Sequence, residues 1–108
     1  MTNIRFEYLY RDAGNFKNWG ALVFANPHNI TAEAVTAYAE NVLIDRTYFV
    51  ASKACVPDLH FADPIEHLDH DWHEFHSFQP TDETPNDSEN RDIEQFVEAL
   101  RSVDLASA

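Results

Sequence analysis

The chain has 108 residues, 44% of them hydrophobic and 13% aromatic, and a formal net charge of −12. That is ample apolar material for one folded domain over residues 1–108, and too little chain for two independent cores or for a disordered composition. So acidic a surface repels nucleic acid and anionic lipid and attracts cations or basic proteins, so neither direct nucleic-acid binding nor a membrane role is expected.

Residues 4–11 alternate. Ile4, Phe6, Tyr8 and Tyr10 fall on one side and Arg5, Glu7, Leu9 and Arg11 on the other, which predicts a strand with one buried face. Asp12, Ala13, Gly14 and Asn15 supply turn chemistry, and residues 16–25, with Trp19, Leu22, Val23 and Phe24, form the return strand of a β-hairpin. Asn26-Pro27-His28-Asn29 breaks the strand. Thr31 is placed to cap a helix over 32–43, with Glu33 in its first turn and Val35, Tyr38, Ala39 and Val42 as its apolar stripe. Residues 47–56 are rich in β-forming types and are expected to contain a third strand, ended by Pro57. Cys55, the only cysteine, is expected to be a buried strand residue and not a reactive thiol; no intramolecular disulfide or cysteine-based zinc site is possible.

The second half differs in kind. Residues 58–108 hold fourteen acids, two bases and five of the six histidines, and so account for the whole of the −12 charge. Within it, residues 66–78 read either as an amphipathic helix or as an aromatic strand. The favoured reading is a helical turn near 64–70 and a strand over 72–79, stopped by Pro80. An acidic loop over 81–90 follows. Ile93, Phe96, Val97, Leu100 and Val103 then mark a helix over 91–103, capped by Asp87 or Ser88, with Arg101 in its last turn. The expected fold class is α+β: a small antiparallel sheet led by the N-terminal hairpin, with two to three helices packed on one face.

Chemistry concentrates in the histidine row. His67, His70, His73 and His76 recur every third residue among Glu66, Asp69, Asp71 and Glu74. Imidazole and carboxylate together are ligands for divalent metals and groups for acid–base catalysis. On a helix, His70 with Glu74 and Asp69 with His73 could each share an ion; on a strand only alternate residues converge. The candidate metal set is therefore His70, His73, His76, Asp69, Asp71 and Glu74. His73-Glu74-Phe75-His76 is one residue short of the His-Glu-x-x-His zinc protease signature, so that motif is absent. The plainer alternative is a polar, histidine-rich face. Crowding by carboxylates would raise the imidazole pKa values and favour a stability maximum near pH 6. No catalytic residue is named by any motif, and no cofactor other than a divalent metal is suggested.

Fourteen aromatics are hard to bury in so small a domain. Tyr8, Tyr10, Trp19 and Trp72 are accordingly candidates for a ligand surface, the core or an interface, and a homo-oligomer is expected. The start of the chain lacks a basic leader, and the longest apolar run, residues 21–25, is too short to cross a membrane, so a cytoplasmic protein is expected.

Residues 10–17 (Tyr10-Arg11-Asp12-Ala13-Gly14-Asn15-Phe16-Lys17), 56–61 (Val56-Pro57-Asp58-Leu59-His60-Phe61) and 69–75 (Asp69-His70-Asp71-Trp72-His73-Glu74-Phe75) together resemble a group of small acidic bacterial proteins of unknown function found in mobile or accessory genes such as integron cassettes. The resemblance spans residues 4–103. It implies a bacterial cytoplasmic accessory protein and carries no activity with it.

Three readings follow, the plainest being a protein whose charge serves only solvation. Another is a small acidic interaction module whose acidic C-terminal half recognises a partner, with a basic protein as the natural occupant. The third is a divalent-metal-binding protein or hydrolase using the His/Asp/Glu cluster 66–76.

Overall fold

The computed structural model describes residues 2–11, 16–59 and 72–107. Its elements are β1 (Asn3–Arg11), β2 (Lys17–Phe24), α1 (Ala32–Val42), β3 (Tyr48–Val50), α2 (Ala51–Ala54), β4 (Trp72–Thr81) and α3 (Ile93–Ser107). The four strands form one antiparallel sheet in the order β2-β1-β4-β3, so the N-terminal strand is internal and pairs on both sides. The helices pack on one face of the sheet, which is the expected α+β arrangement.

Alternation in β1 does what its pattern dictates. Ile4, Phe6, Tyr8 and Tyr10 are buried against the helices, joined by Leu22 and Phe24 of β2, Phe49 of β3 and Phe78 of β4. Helix α3 closes this core with Ile93, Phe96, Val97 and Leu100, and α1 with Val35, Ala39 and Val42. Phe6 sits at the centre. Its ring lies 4.8–6.2 Å from those of Tyr8, Phe49, Phe75, Phe78 and Phe96. Such offset and tilted ring pairs add to simple area burial.

Helix ends are chemically defined. Thr31 accepts the Ala34 N–H at 3.1 Å, as its sequence position predicts. The α3 cap, however, is Asp92 and not Asp87 or Ser88. Asp92 accepts the Gln95 N–H at 2.8 Å while Gln95 accepts the Asp92 N–H at 2.9 Å, a reciprocal capping box. Residues 47–56 hold a strand of only three residues, because the chain turns into α2 at Ala51. Cys55 ends that turn, exposed and in the left-handed region at φ 56°, which corrects its expected burial in a strand. It stands where glycine is commonest, the residue that closes a helix.

Two further devices shape the sheet. The register shifts between Glu7 and Tyr8, which face Ser77 and Phe75, so His76 is the extra residue of a β-bulge. The bulge resets the alternation, and both Phe75 and Phe78 join the core although they are three residues apart. Secondly, residues 82–92 run from the end of β4 round the outer edge of β2. Glu83 meets Arg5 at 2.9 Å. Asn86 exchanges two hydrogen bonds with the Val23 backbone, at 2.8 and 3.0 Å. The acidic loop thereby occupies the outward backbone groups of Val23, near one end of an edge strand that would otherwise invite pairing with another chain.

Candidate functional site

Of the six candidate metal ligands, Asp69, His70 and Asp71 lie outside the described residues. Of the other three, His73 is divided by the sheet from Glu74 and His76. His73 points into the core at 0% exposure, between the rings of Tyr10, Phe49 and Tyr8 at 5.1, 6.0 and 6.1 Å. Its Nε2 accepts the Leu59 N–H at 3.0 Å, which assigns the neutral ring proton to Nδ1. Asp58 Oδ1 lies 3.6 Å from the same nitrogen. His73 is therefore an internal brace for residues 57–59 and not part of a polar row, a correction to the histidine-rich face. Glu74 points to the opposite face and receives Arg11 through two bonds of 2.9 and 3.3 Å. His76, in the bulge, is exposed and sets its ring edge-on to Trp19 at 4.9 Å. Among the described residues no three His, Cys, Asp or Glu side chains are grouped to hold a metal ion.

The four aromatic candidates also divide. Tyr8 and Tyr10 belong to the core. The Tyr8 hydroxyl donates to the Pro57 carbonyl at 2.7 Å, and burial, with Asp58 adding, pushes its pKa up to about 12. Trp19 and Trp72 lie on the open side of the sheet, 53% and 40% exposed. Trp19 stands opposite Leu9, which it helps to bury, and Trp72 lies 5.4 Å from Tyr48. Between them are polar ties within β1 and from β4 to β1. Arg5 donates to Glu7 at 3.0 Å, and the Ser77 hydroxyl donates to the same carboxylate at 3.2 Å. The Arg5 bond chiefly holds the Glu7 carboxyl below the usual carboxylate range; partial burial opposes it and Ser77 assists.

A second surface lies on the far side of the molecule. α1 and α3 splay apart over an apolar slot of about 320 Å³, floored by Ile30, Ala34, Val35 and Val97. Its rim is acidic. Glu94 and Glu98, one helical turn apart on α3, edge the slot. His28 pairs with Glu94, and the Tyr38 hydroxyl donates to Glu98, so the slot is bridged at both ends from the α1 side. Nothing in the local sequence marks this slot. The available signal was the pair of carboxylates at i, i+4 flanking Val97 on an amphipathic helix.

The Glu94 carboxylate, by hydrogen bond and by charge, raises the His28 pKa above its ordinary value of about 6.5. A raised histidine pKa contributes stability fully below the unfolded value, and the contribution is lost as pH rises through the folded value. His28 is well exposed, so the shift is best read by NMR titration of its ring. Glu94→Gln is expected to return the midpoint toward about 6.5. An unchanged midpoint would show that the pair does not persist in solution.

Compared with known proteins, the chain matches no family model, no curated protein and no solved structure. Among the described residues no helix is long and apolar enough to cross a membrane.

Proposed function

We propose that this protein is a small acidic interaction module that recognises a basic protein partner through the slot between α1 and α3. The observation that carries this reading is an apolar slot rimmed by Glu94 and Glu98 on the acidic half of the chain. At about 320 Å³ it is at the lower end of ligand sites, a volume suited to one or two apolar side chains and small for a cofactor. An apolar anchor entering between two carboxylates would leave its neighbouring lysine or arginine residues beside Glu94 and Glu98. The anchor supplies the affinity, and the rim charges supply orientation. A chain of net charge −12 steers such a partner from a distance and turns away nucleic acid and anionic membranes. The lone cysteine suits a reducing compartment, so the module is read as cytoplasmic. The bacterial accessory role implied by its resemblance is part of the same reading.

The test uses a synthetic helical peptide of alternating lysine and leucine faces, titrated calorimetrically at low salt. A matched peptide with serine in place of leucine serves as control. The leucine peptide should bind at least about tenfold more tightly, a difference of about 1.4 kcal/mol. Ala34→Trp, which fills the slot from an exposed helix position, and Glu98→Lys, which reverses its rim, should each abolish that advantage. Equal binding of the two peptides, or an advantage that survives both substitutions, would remove the slot as the recognition site.

A further inference from the structure

The open face of the sheet is a surface of a different kind. Its two exposed indoles, Trp19 on β2 and Trp72 on β4, flank the central strand β1. They are also the only two tryptophans in the chain. No described helix covers them. The polar side chains between are tied to one another, so they are largely satisfied before anything docks, and a shallow dip of about 350 Å³ lined by Arg5, Glu7, Ala21 and His76 lies beside Trp19.

Charge identifies the occupant. A molecule of net charge −12 repels a copy of itself over most approaches. This face is the exception. Among the described residues Arg5, Arg11 and Lys17 equal Glu7, Glu74 and Glu83 in number; Arg5 pairs with Glu7 along β1 and with Glu83 at the rim, and Arg11 pairs with Glu74 on the neighbouring strand. Among the described residues a basic partner has no excess of carboxylates to meet here, and an acidic one has no excess of cations. A neutral, aromatic, internally paired surface is complementary to itself.

We infer that the open sheet face is a two-fold interface at which a second copy of this chain docks sheet to sheet. A two-fold axis along β1 sets β2 of each copy against β4 of the other, and so Trp19 against the strand that carries Trp72. Contact of this kind is isologous and closes at two copies. It also leaves both α1–α3 slots on the outside of the dimer, facing away from each other. The dimer is thus bivalent for any partner with two binding segments, and avidity follows without new contacts. This inference is independent of what the slots bind.

Sedimentation and tryptophan emission, measured on the same wild-type samples from about 1 µM to about 300 µM, test it directly. Mass should double with concentration, and the emission should shift to the blue and lose access to acrylamide over the same range. Because the copies repel elsewhere, the apparent dissociation constant should fall as salt is raised toward about 0.5 M. Ala21→Asp, on the outer side of β2, and Trp72→Asp should each weaken association at least about tenfold while the circular dichroism is unchanged. A monomer throughout the range in high salt overturns the inference. So does a dimer whose tryptophans remain as accessible as in the monomer, a result that needs no folded variant, since it places the contact elsewhere.

Discussion

Replacing Arg91 by alanine is expected to destabilise the fold by about 3–5 kcal/mol, the cost of breaking a buried ion pair from one side. Arg91 uses its whole guanidinium in hydrogen bonds. Its Nε and Nη2 donate to the two oxygens of Asp87, each at 2.9 Å, and its backbone N–H donates to the same carboxylate at 2.9 Å. Its remaining donors reach the carbonyls of Ala54 and Cys55 at 2.7 and 3.0 Å, which closes the end of α2. The guanidinium also lies over the Phe24 and Phe96 rings at 5.8 and 5.2 Å. Both partners are taken out of water, with side-chain exposures of 13% for Arg91 and 1% for Asp87. Alanine would leave the Asp87 carboxylate buried with little to balance it, and two carbonyls at the α2 terminus without their donor.

Lysine at position 91 should restore little, since an ammonium cannot reproduce the planar fork. Removing both partners together should cost less than removing either alone. The pair also sets an acid limit. Burial by itself would raise the Asp87 pKa, but the side-chain and backbone hydrogen bonds from Arg91 outweigh it, and the net shift is downward. A depressed carboxylate contributes stability above its unfolded value of about 3.9, and that contribution is lost as pH falls through the folded value. The gap between urea melts of wild type and Arg91→Ala should therefore narrow as pH falls from 7 into the acid range, and what persists reports the Ala54 and Cys55 bonds. A loss under about 1 kcal/mol at pH 7, the value of an exposed pair, would refute the clamp.

Phe6→Ala is expected to cost a similar amount, about 3–5 kcal/mol, for a different reason. Phe6 is fully buried and its ring meets five others contributed by β1, β3, β4 and α3. Alanine leaves a cavity walled by aromatic rings that are themselves held by the sheet and cannot collapse to fill it. Phe6→Leu, which keeps much of the volume, should cost less than half as much. Phe16, 68% exposed just before β2, is the control, and its alanine variant should lie within about 0.5 kcal/mol of wild type. Equal effects at positions 6 and 16 in chemical denaturation would contradict the described core.

Local periodicity is what the sequence determined. The strict alternation of residues 4–10 specified a strand with a buried side, and the helical spacing of Ile93, Phe96, Val97 and Leu100 specified α3. Thr31 announced the start of α1. These signals are legible because the burial of one face is written into neighbouring residues at a fixed period. The neutral first half and acidic second half were equally plain, and they foreshadow the acidic rim of the slot.

Only the tertiary structure decided where the histidines and aromatics point. His73 is a core brace because the bulge at His76 resets the alternation of β4, and that bulge exists only in the pairing with β1. Tyr8 and Trp19 look alike as aromatic strand residues, yet one is internal and the other exposed, since the pairing turns the even-numbered residues of both β1 and β2 toward the helices and leaves Trp19, opposite Leu9, on the other face. Asp87 read as a helix cap and proved to be the partner of Arg91, whose value lies in carbonyls 36 and 37 residues earlier in the chain. Register, bulges and clamps of this sort depend on contacts between distant segments, and a local pattern carries no record of them until the sheet has formed.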